Sequence, residues 1–544
     1  MELGSDMNEE LCAPPCAPSP PTPKPPVSVE AAPPGQPAIK RGRAVTNLAA
    51  NLANFAFGLF VGLWFTPYLI RNLGTASYGL IPLVSQITGY LVVVTVLLSS
   101  VVGRYVTIAL ERHDNEEANR FFNTALFGNV FMVVLLFVPA MLAAWNIERL
   151  IVLPSGQETQ VRWLFACTIA GFFLATIQSP FGVATFYTNR LELQSAISVL
   201  QQVARVALVV GLFTLLRAQI WQVGLATVLS MFIGWGWSIR LWRRLTPMLR
   251  VSISHFRFSA LRNLLSTGGW FSVNHVGAIL FLAIDLVVVN RLFGAESGGR
   301  YAVALQWSAL LRSFATVIAS VFTPTIVYLY ARKETNELVA YSRRAVKFMG
   351  LLMALPIGLI CGFSVPLLQT WLGLNFVDLA WLMSLMTVHL SVTIAVYPLF
   401  GIQYATNRVR IPAIVTIVMG AGNLALAILL ARPMGWGLYG VAAAGAITLS
   451  AKNLIFTPLY AAHVLHRHWD GFLLEILPIT LITLGTAAVA KLLATTWDIS
   501  GWFSLIAAGV GISVVYAAIG YWLMLNREER RVAWSMLPLF ASKP

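Results

Sequence analysis

From Val45 to about residue 525 the chain alternates apolar stretches of roughly 20 to 28 residues with short polar breaks. A helix rises about 1.5 Å per residue, so each stretch can cross a hydrocarbon core of about 30 Å. Lipid-exposed backbone must satisfy its own hydrogen bonds, and spans this long fit helices, not barrel strands. The pattern predicts an all-α polytopic membrane protein with about fourteen transmembrane helices, among them 79–108, 264–292, 301–330, 345–371 and 378–404.

Residues 1–43 stand apart. CAPPCAPSPPTPKPPVSVEAAPPGQP is proline-rich and almost free of bulky apolar side chains, so it cannot bury enough surface to offset its ordering entropy. It carries no apolar core of a signal peptide, and the expectation is a disordered cytoplasmic tail.

The apolar pattern repeats. Displaced by 220 residues, Asn54 falls on Asn274, Arg71 on Arg291, Gly74 on Gly294, Ser77 on Ser297 and Gly79 on Gly299. Further along, Gln86 falls on Gln306, Ser100 on Ser320, Arg112 on Arg332 and Glu117 on Glu337, without a gap. At a displacement of 218, PFGVATFYTNR (180–190) falls on PLFGIQYATNR (398–408), at the ends of the fourth and tenth spans. The reading is a six-helix N-lobe (44–245), a six-helix C-lobe (246–465), two further helices (466–526) and a cytoplasmic tail (527–544). An even helix number per lobe gives both copies one orientation, related by a pseudo-two-fold axis along the membrane normal. Two parallel lobes around a central cavity is a transporter architecture.

Composition agrees: the chain is 58% hydrophobic and 11% charged, against about 25% charged in soluble domains. The net charge of +15 does not indicate a nucleic-acid partner, because the basic residues lie between the spans and read as topology signals facing anionic lipid. Counting alternate breaks puts Arg112, Arg120, Arg240, Arg243, Arg244, Arg250, Arg257, Arg262, Arg332, Lys333, Arg343, Arg344, Lys347, Arg408 and Arg410 on one side. Both termini are expected on that side, the cytoplasmic one. Cys12 and Cys16 lie in the tail and Cys167 and Cys361 within spans, which gives no disulfide framework. His463, His466 and His468 have no carboxylate or cysteine to complete a metal site, and no G-x-x-x-x-G-K-[ST] loop is present for ATP.

Ionisable groups at bilayer depth are costly and normally face an aqueous path or a partner. Arg205, Asp285, Arg312 and Lys452 lie well inside spans, with Arg104 nearer a cytoplasmic end, where snorkelling explains it. Helical spacing places polar residues beside them: Asn274 with Asp285, Gln194 and Gln201 with Arg205, Tyr301 and Ser308 with Arg312, Thr448 with Lys452. Asn47, Asn51, Asn54 and Gly58 form a further stripe, and all these stripes are expected to line a cavity. Asp285 is the one carboxylate deep in a span. Two readings stand for it: a coupling site for an ion or proton, or a structural pair with Arg312 or Arg205. Pro180 and Pro398 should kink their helices, as hinges or simply as shapers of the bundle. Arg190 and Arg408 read as anchors.

NLAANLANFAFGLFVGLWFTPYLIRNLGTASYGLIPLVSQI resembles the opening of the Wzx-type polysaccharide flippases, a branch of the multidrug/oligosaccharidyl-lipid/polysaccharide exporter superfamily. TNRVRIPAIVTIVMGAGNLALAILLARPMGWGLYGVAAAGAITL is similar to that family's eleventh and twelfth helices: a small-residue run, an Asn, an apolar stretch, then Gly-x-x-Gly-x-Ala. The likeness covers roughly residues 45–525. It implies a non-enzymatic flippase of the bacterial cytoplasmic membrane, moving a polyprenyl-pyrophosphate-linked oligosaccharide by alternating access for surface polysaccharide synthesis. No cofactor is implied, and the drive is an ion gradient or the membrane potential. Membrane lipids, a polysaccharide polymerase and a chain-length regulator are the implied partners. Arg or Lys in a low-dielectric cavity can bind a pyrophosphate, and amides can bind sugars. The expected cavity residues are therefore Arg312, Lys452, Arg205, Arg104, Asn51, Asn54, Asn274 and Gln306. The alternatives are a lipid II flippase, a drug/cation antiporter of the same superfamily and, from another class, a membrane glycan polymerase or ligase.

Overall fold

The computed structural model of the protein describes residues 41–93, 95, 102–468, 472 and 476–524. Of the expected N-terminal tail only 41–43 fall among them, and the expected C-terminal tail lies outside them. Every regular element among the described residues is helical. In chain order these are α1 (Arg41–Leu73), α2 (Thr75–Gly89), α3 (Val102–Glu111), α4 (Asn115–Trp145), α5 (Glu158–Gln178), α6 (Val183–Tyr187), α7 (Leu191–Leu215) and α8 (Trp221–Leu245). The second half holds α9 (Phe258–Leu282), α10 (Ile284–Ala331), α11 (Thr335–Gly362), α12 (Ser364–Leu372), α13 (Ala380–Val388), α14 (Leu390–Ala395), α15 (Phe400–Ala405), α16 (Arg410–Ala431), α17 (Gly437–Ser450) and α18 (Thr457–Val464). Two more, α19 (Ile476–Thr496) and α20 (Trp502–Ile519), follow.

Among the described residues, twelve helical segments are long and apolar enough to cross a membrane. One of them, His275–Ala331, has 57 residues, about 85 Å of helix and more than twice the bilayer core. It turns at Gly294 (φ 86°, ψ 176°) and so makes two passes. The stretch expected at 79–108 contains undescribed residues between α2 and α3. With the two passes of His275–Ala331 the described residues hold thirteen passes, and the stretch expected at 79–108 lies partly outside them.

Two expected boundaries are corrected. The stretch expected at 345–371 is α11, which begins at Thr335, and a separate α12 after a break at Phe363. Arg343, Arg344 and Lys347 are therefore helical instead of lying in a loop, because the polar first turns of α11 extend the helix beyond its apolar part. The stretch expected at 264–292 begins earlier, at Phe258, and is interrupted at Ala283 (φ −122°, ψ −12°).

The backbone breaks repeat as the side chains do. Gly74 (φ 81°) ends α1 as Gly294 (φ 86°) ends the first arm of α10. Glycine meets this positive φ without a Cβ clash. His113 and Lys333, also 220 apart, both have φ 59°, and Asn189 and Asn407 have φ 51° and 53°. In each Thr-Asn-Arg, the threonine hydroxyl donates one turn back, Thr188 to Ala184 O and Thr406 to Ile402 O, both at 2.8 Å. The asparagine takes the left-handed conformation that ends a helix, and the arginine N–H reaches back to Thr185 O or Gln403 O. The preceding prolines convert a turn of α-helix to 3₁₀ geometry, Ser179–Gly182 and Tyr397–Leu399. The motif is a helix stop.

One end of the bundle carries the basic turns. At the opposite end a single apolar core runs through both halves, taking in Leu69, Leu80 and Leu164 from the first and Leu286, Tyr301 and Trp371 from the second. At the basic end the core divides: Val106, Phe122 and Trp242 pack within the first half, and Ile326, Met349 and Leu399 within the second. Large apolar side chains such as Phe131, Val134 and Phe137 point outward from the bundle, as contact with lipid requires.

Candidate functional site

The two halves are sewn together at the end opposite the basic one. Gly79 of α2 and Gly299 of α10 meet backbone to backbone, so closely that a Cβ on Gly79 would lie 2.4 Å from Gly299 Cα. Beside them Gln306 Oε1 accepts hydrogen bonds from Thr66 Oγ1 and Tyr78 Oη, both at 2.9 Å, while its amide donates to Gly62 O at 3.3 Å. Trp371 Nε1 donates to Leu63 O at 2.6 Å, and Asn290 exchanges two hydrogen bonds with the backbone of Val152. Gln306 thus binds the seam. Its amide is held by α1 and α2 in this conformation.

The asparagine stripe of α1 is hydrogen-bonded to its neighbour, with Asn51 still exposed. Asn47 donates to Asn189 Oδ1 at 3.0 Å and accepts from Glu192 N at 3.2 Å. Asn51 Oδ1 accepts from Ser195 Oγ at 2.8 Å, and Asn54 Oδ1 from Gln202 Nε2 at 3.2 Å. The stripe is a polar zipper between α1 and α7. Polar residues at helical spacing satisfy each other inside a bundle as readily as they face water.

Asp285 begins α10, just after the break at Ala283, and is buried. Its Oδ1 accepts from Asn423 Nδ2 on α16 at 3.1 Å, and Asn423 Oδ1 accepts from Thr448 Oγ1 on α17 at 3.2 Å. Asn423 also donates to Leu280 O at 3.2 Å. Asp285 makes no ion pair with Arg312 or Arg205 among the described residues. Arg312, Tyr301, Ser308 and His389 share with it a small cavity of about 30 Å³, room for a water-sized guest. Arg312 Nη2 donates to Ser308 Oγ at 3.2 Å.

Next to this pocket, and sharing its walls at Phe281, Leu282 and Leu449, a cavity of about 800 Å³ opens in the basic half of α9, α10, α15 and α16. Lys452 lies on its wall, on a π-helical turn (Ala451–Phe456) between α17 and α18. Its ammonium sits 5.5 Å from the ring centre of Phe400 and 6.0 Å from that of Phe281. No carboxylate is among the described residues that line the cavity. Such turns insert one residue into a helix and recur at functional sites.

The remaining expected residues fall elsewhere. Arg205 is half-buried on α7, and its Nε is sealed from solvent without a hydrogen-bond partner. Arg104 is exposed on α3. Asn274 lies on α9, with its side chain outside the described residues. Pro180 and Pro398 are buried at the 3₁₀ turns. The reading of single residues missed Asn423, although the small-residue run GAGN marks it, and the aromatic walls around Lys452, for which no local signal exists.

A family model described as "Polysaccharide biosynthesis protein" matches residues 47–330, more than half of the chain. The chain is also 36% identical over 486 residues to the uncharacterized membrane protein EpsK of Bacillus subtilis (strain 168), covering 89% of this chain and 96% of that one. The chain belongs to the polysaccharide biosynthesis protein family. This family member shares its fold with solved transporters. An inward-facing multidrug resistance MATE transporter of the MOP superfamily superposes with a TM-score of 0.63 at 16% identity, over 81% of this chain and 98% of that chain. Lipid II flippase MurJ in an inward closed conformation superposes with a TM-score of 0.60 at 14% identity, over 89% and 99%. At these identities the likeness is one of fold. This chain is thus a multi-pass membrane protein that shares its fold with these structures.

Proposed function

We propose that this protein is a flippase that carries a polyprenyl-pyrophosphate-linked oligosaccharide across the bacterial cytoplasmic membrane by alternating access between residues 44–245 and 246–465. One observation carries the reading: the apolar core is continuous across both halves at one end and parted at the basic end. By the positive-inside rule the basic end is cytoplasmic. The arrangement is then an inward-open state, closed outside by the Gly79–Gly299 seam. Among the described residues Arg205, Arg312 and Lys452 stand without a carboxylate partner within ion-pair distance, which favours an anionic passenger. A cationic drug would meet repulsion there. The connections at the outer end run no longer than 146–157, short for a polymerase or ligase site.

In this reading Asp285, with Asn423, Thr448 and the carbonyl of Leu280, is the coupling site. The Asp285 carboxylate can take up a proton, or a monovalent cation once the Asn423 amide turns its oxygen toward it, so a gradient of either supplies the drive. The test is flux of a fluorescent polyprenyl-pyrophosphate glycan in proteoliposomes, with surface polysaccharide measured in cells. Arg312→Ala with Lys452→Ala is expected to abolish both while the protein stays folded and in the membrane. Native flux in that double variant would refute the cationic route.

A further inference from the structure

The cavity around Lys452 has a counterpart. In the first half a cavity of about 240 Å³ lies among α5, α6, α7 and α8. At the displacement of 218 that superposes the two Thr-Asn-Arg stops, its wall falls on the wall of the larger one. Gly182 corresponds to Phe400, Thr185 to Gln403, Ser198 to Thr416 and Ser238 to Phe456. The duplication therefore produced two cavities, and they have diverged in chemistry.

The smaller cavity is lined by hydroxyls and amides and holds no ionisable group. Gln178 Nε2 donates to Ser238 Oγ across it at 2.7 Å. The position that corresponds to Lys452 is Gly234. Gln201 lies over that glycine so tightly that a Cβ would sit 1.9 Å from its Nε2. A side chain there would have to displace Gln201. In the larger cavity the same position carries an ammonium, with Phe400 and Phe456 in place of Gly182 and Ser238. Charge, aromatic walls and the larger volume thus occur together, in one half only.

We infer that the larger cavity is a carbohydrate subsite for a sugar bearing a single negative charge, such as a uronic acid, with Lys452 as its counter-ion. The inference rests on the flippase reading and adds the substrate class. A volume of about 800 Å³ lies within the usual range for small-molecule sites. The flat faces of Phe400 and Phe456 suit the C–H faces of pyranose rings, and Gln403 and Asn453 offer amides to ring hydroxyls. One ammonium over two aromatic rings balances one carboxylate. A pyrophosphate carries more charge than one ammonium balances, and no arginine or second lysine is among the described residues that line this cavity. The carrier pyrophosphate is therefore read elsewhere.

The test uses the full chain in lipid nanodiscs and three probes: a glucuronate-containing disaccharide, its neutral analogue, and a polyprenyl pyrophosphate without glycan. Lys452→Gln is expected to weaken the acidic disaccharide roughly ten- to hundredfold, the worth of a charge-assisted hydrogen bond. The neutral disaccharide and the glycan-free carrier should change by less than about twofold in Kd. Phe400→Leu, which leaves the charge in place, is expected to weaken both disaccharides and spare the carrier. It decides the matter should Lys452→Gln fail to fold. Equal loss of the glycan-free carrier in either variant would overturn the subsite while leaving the flippase reading intact. Failure of the unaltered protein to bind carrier or sugar would overturn both.

Discussion

The contact between Gly79 and Gly299 makes a sharp demand on the outer seam. A Cβ on Gly299 would lie 2.1 Å from the carbonyl oxygen of Thr75 and 2.8 Å from its carbon. Both are backbone atoms and cannot rotate away, so Gly299→Ala must push α10 from α2 by about 1 Å or more to restore van der Waals contact. Overpacking of this kind costs about 1–3 kcal/mol. If the seam is parted in the alternative state, that state avoids the cost, and the equilibrium moves toward it by roughly ten- to hundredfold. The assay is double electron–electron resonance with spin labels at Arg71→Cys and Arg291→Cys, two exposed and corresponding positions at the outer end, in a chain whose native cysteines are replaced. Gly299→Ala should raise the long-distance population strongly, and Gly79→Ala should do the same. Gly211→Ala, where an added Cβ meets nothing within 4 Å, should leave the distribution unaltered. An unchanged distribution in folded Gly299→Ala would refute the claim that this seam is an outer gate.

Three further outcomes are expected. Asp285→Asn should uncouple transport, so that flux in proteoliposomes no longer responds to an imposed sodium or proton gradient; a retained response to either places coupling elsewhere. The connection between α8 and α9 is held to α4 by Asn119, which bonds Met248 O and Arg250 N, and by Asn123, which bonds Arg250 O and Ser252 N. Replacing both asparagines with Ala removes four hydrogen bonds worth about 1 kcal/mol each, and hydrogen exchange over 248–256 should accelerate by at least tenfold with little change in Tm. Asn407 sits at φ 53°, so Asn407→Val should cost about 1–2 kcal/mol and lower Tm, whereas Asn407→Gly should be tolerated.

The membrane class, the spans and the duplication were legible in the sequence because they rest on local physics. Apolar length fixes what can cross a bilayer, and steric limits on φ require Gly74, Gly294, Asn189 and Asn407 where the chain turns. The charges inside the spans were legible too, since Asp285, Arg312 and Lys452 are conspicuous in apolar surroundings. Their partners were not. Helical spacing placed Asn51, Asn54 and Gln306 on polar faces, but it says nothing of what each face meets. The tertiary structure spent the asparagines on α7 and Gln306 on α1 and α2, and it gave Asp285 to Asn423, 138 residues away. Such pairings depend on how far each helix is rotated and how closely its neighbour approaches. That approach is set by distant small residues such as Gly79 and Gly299, so it belongs to the packed bundle and to no single segment.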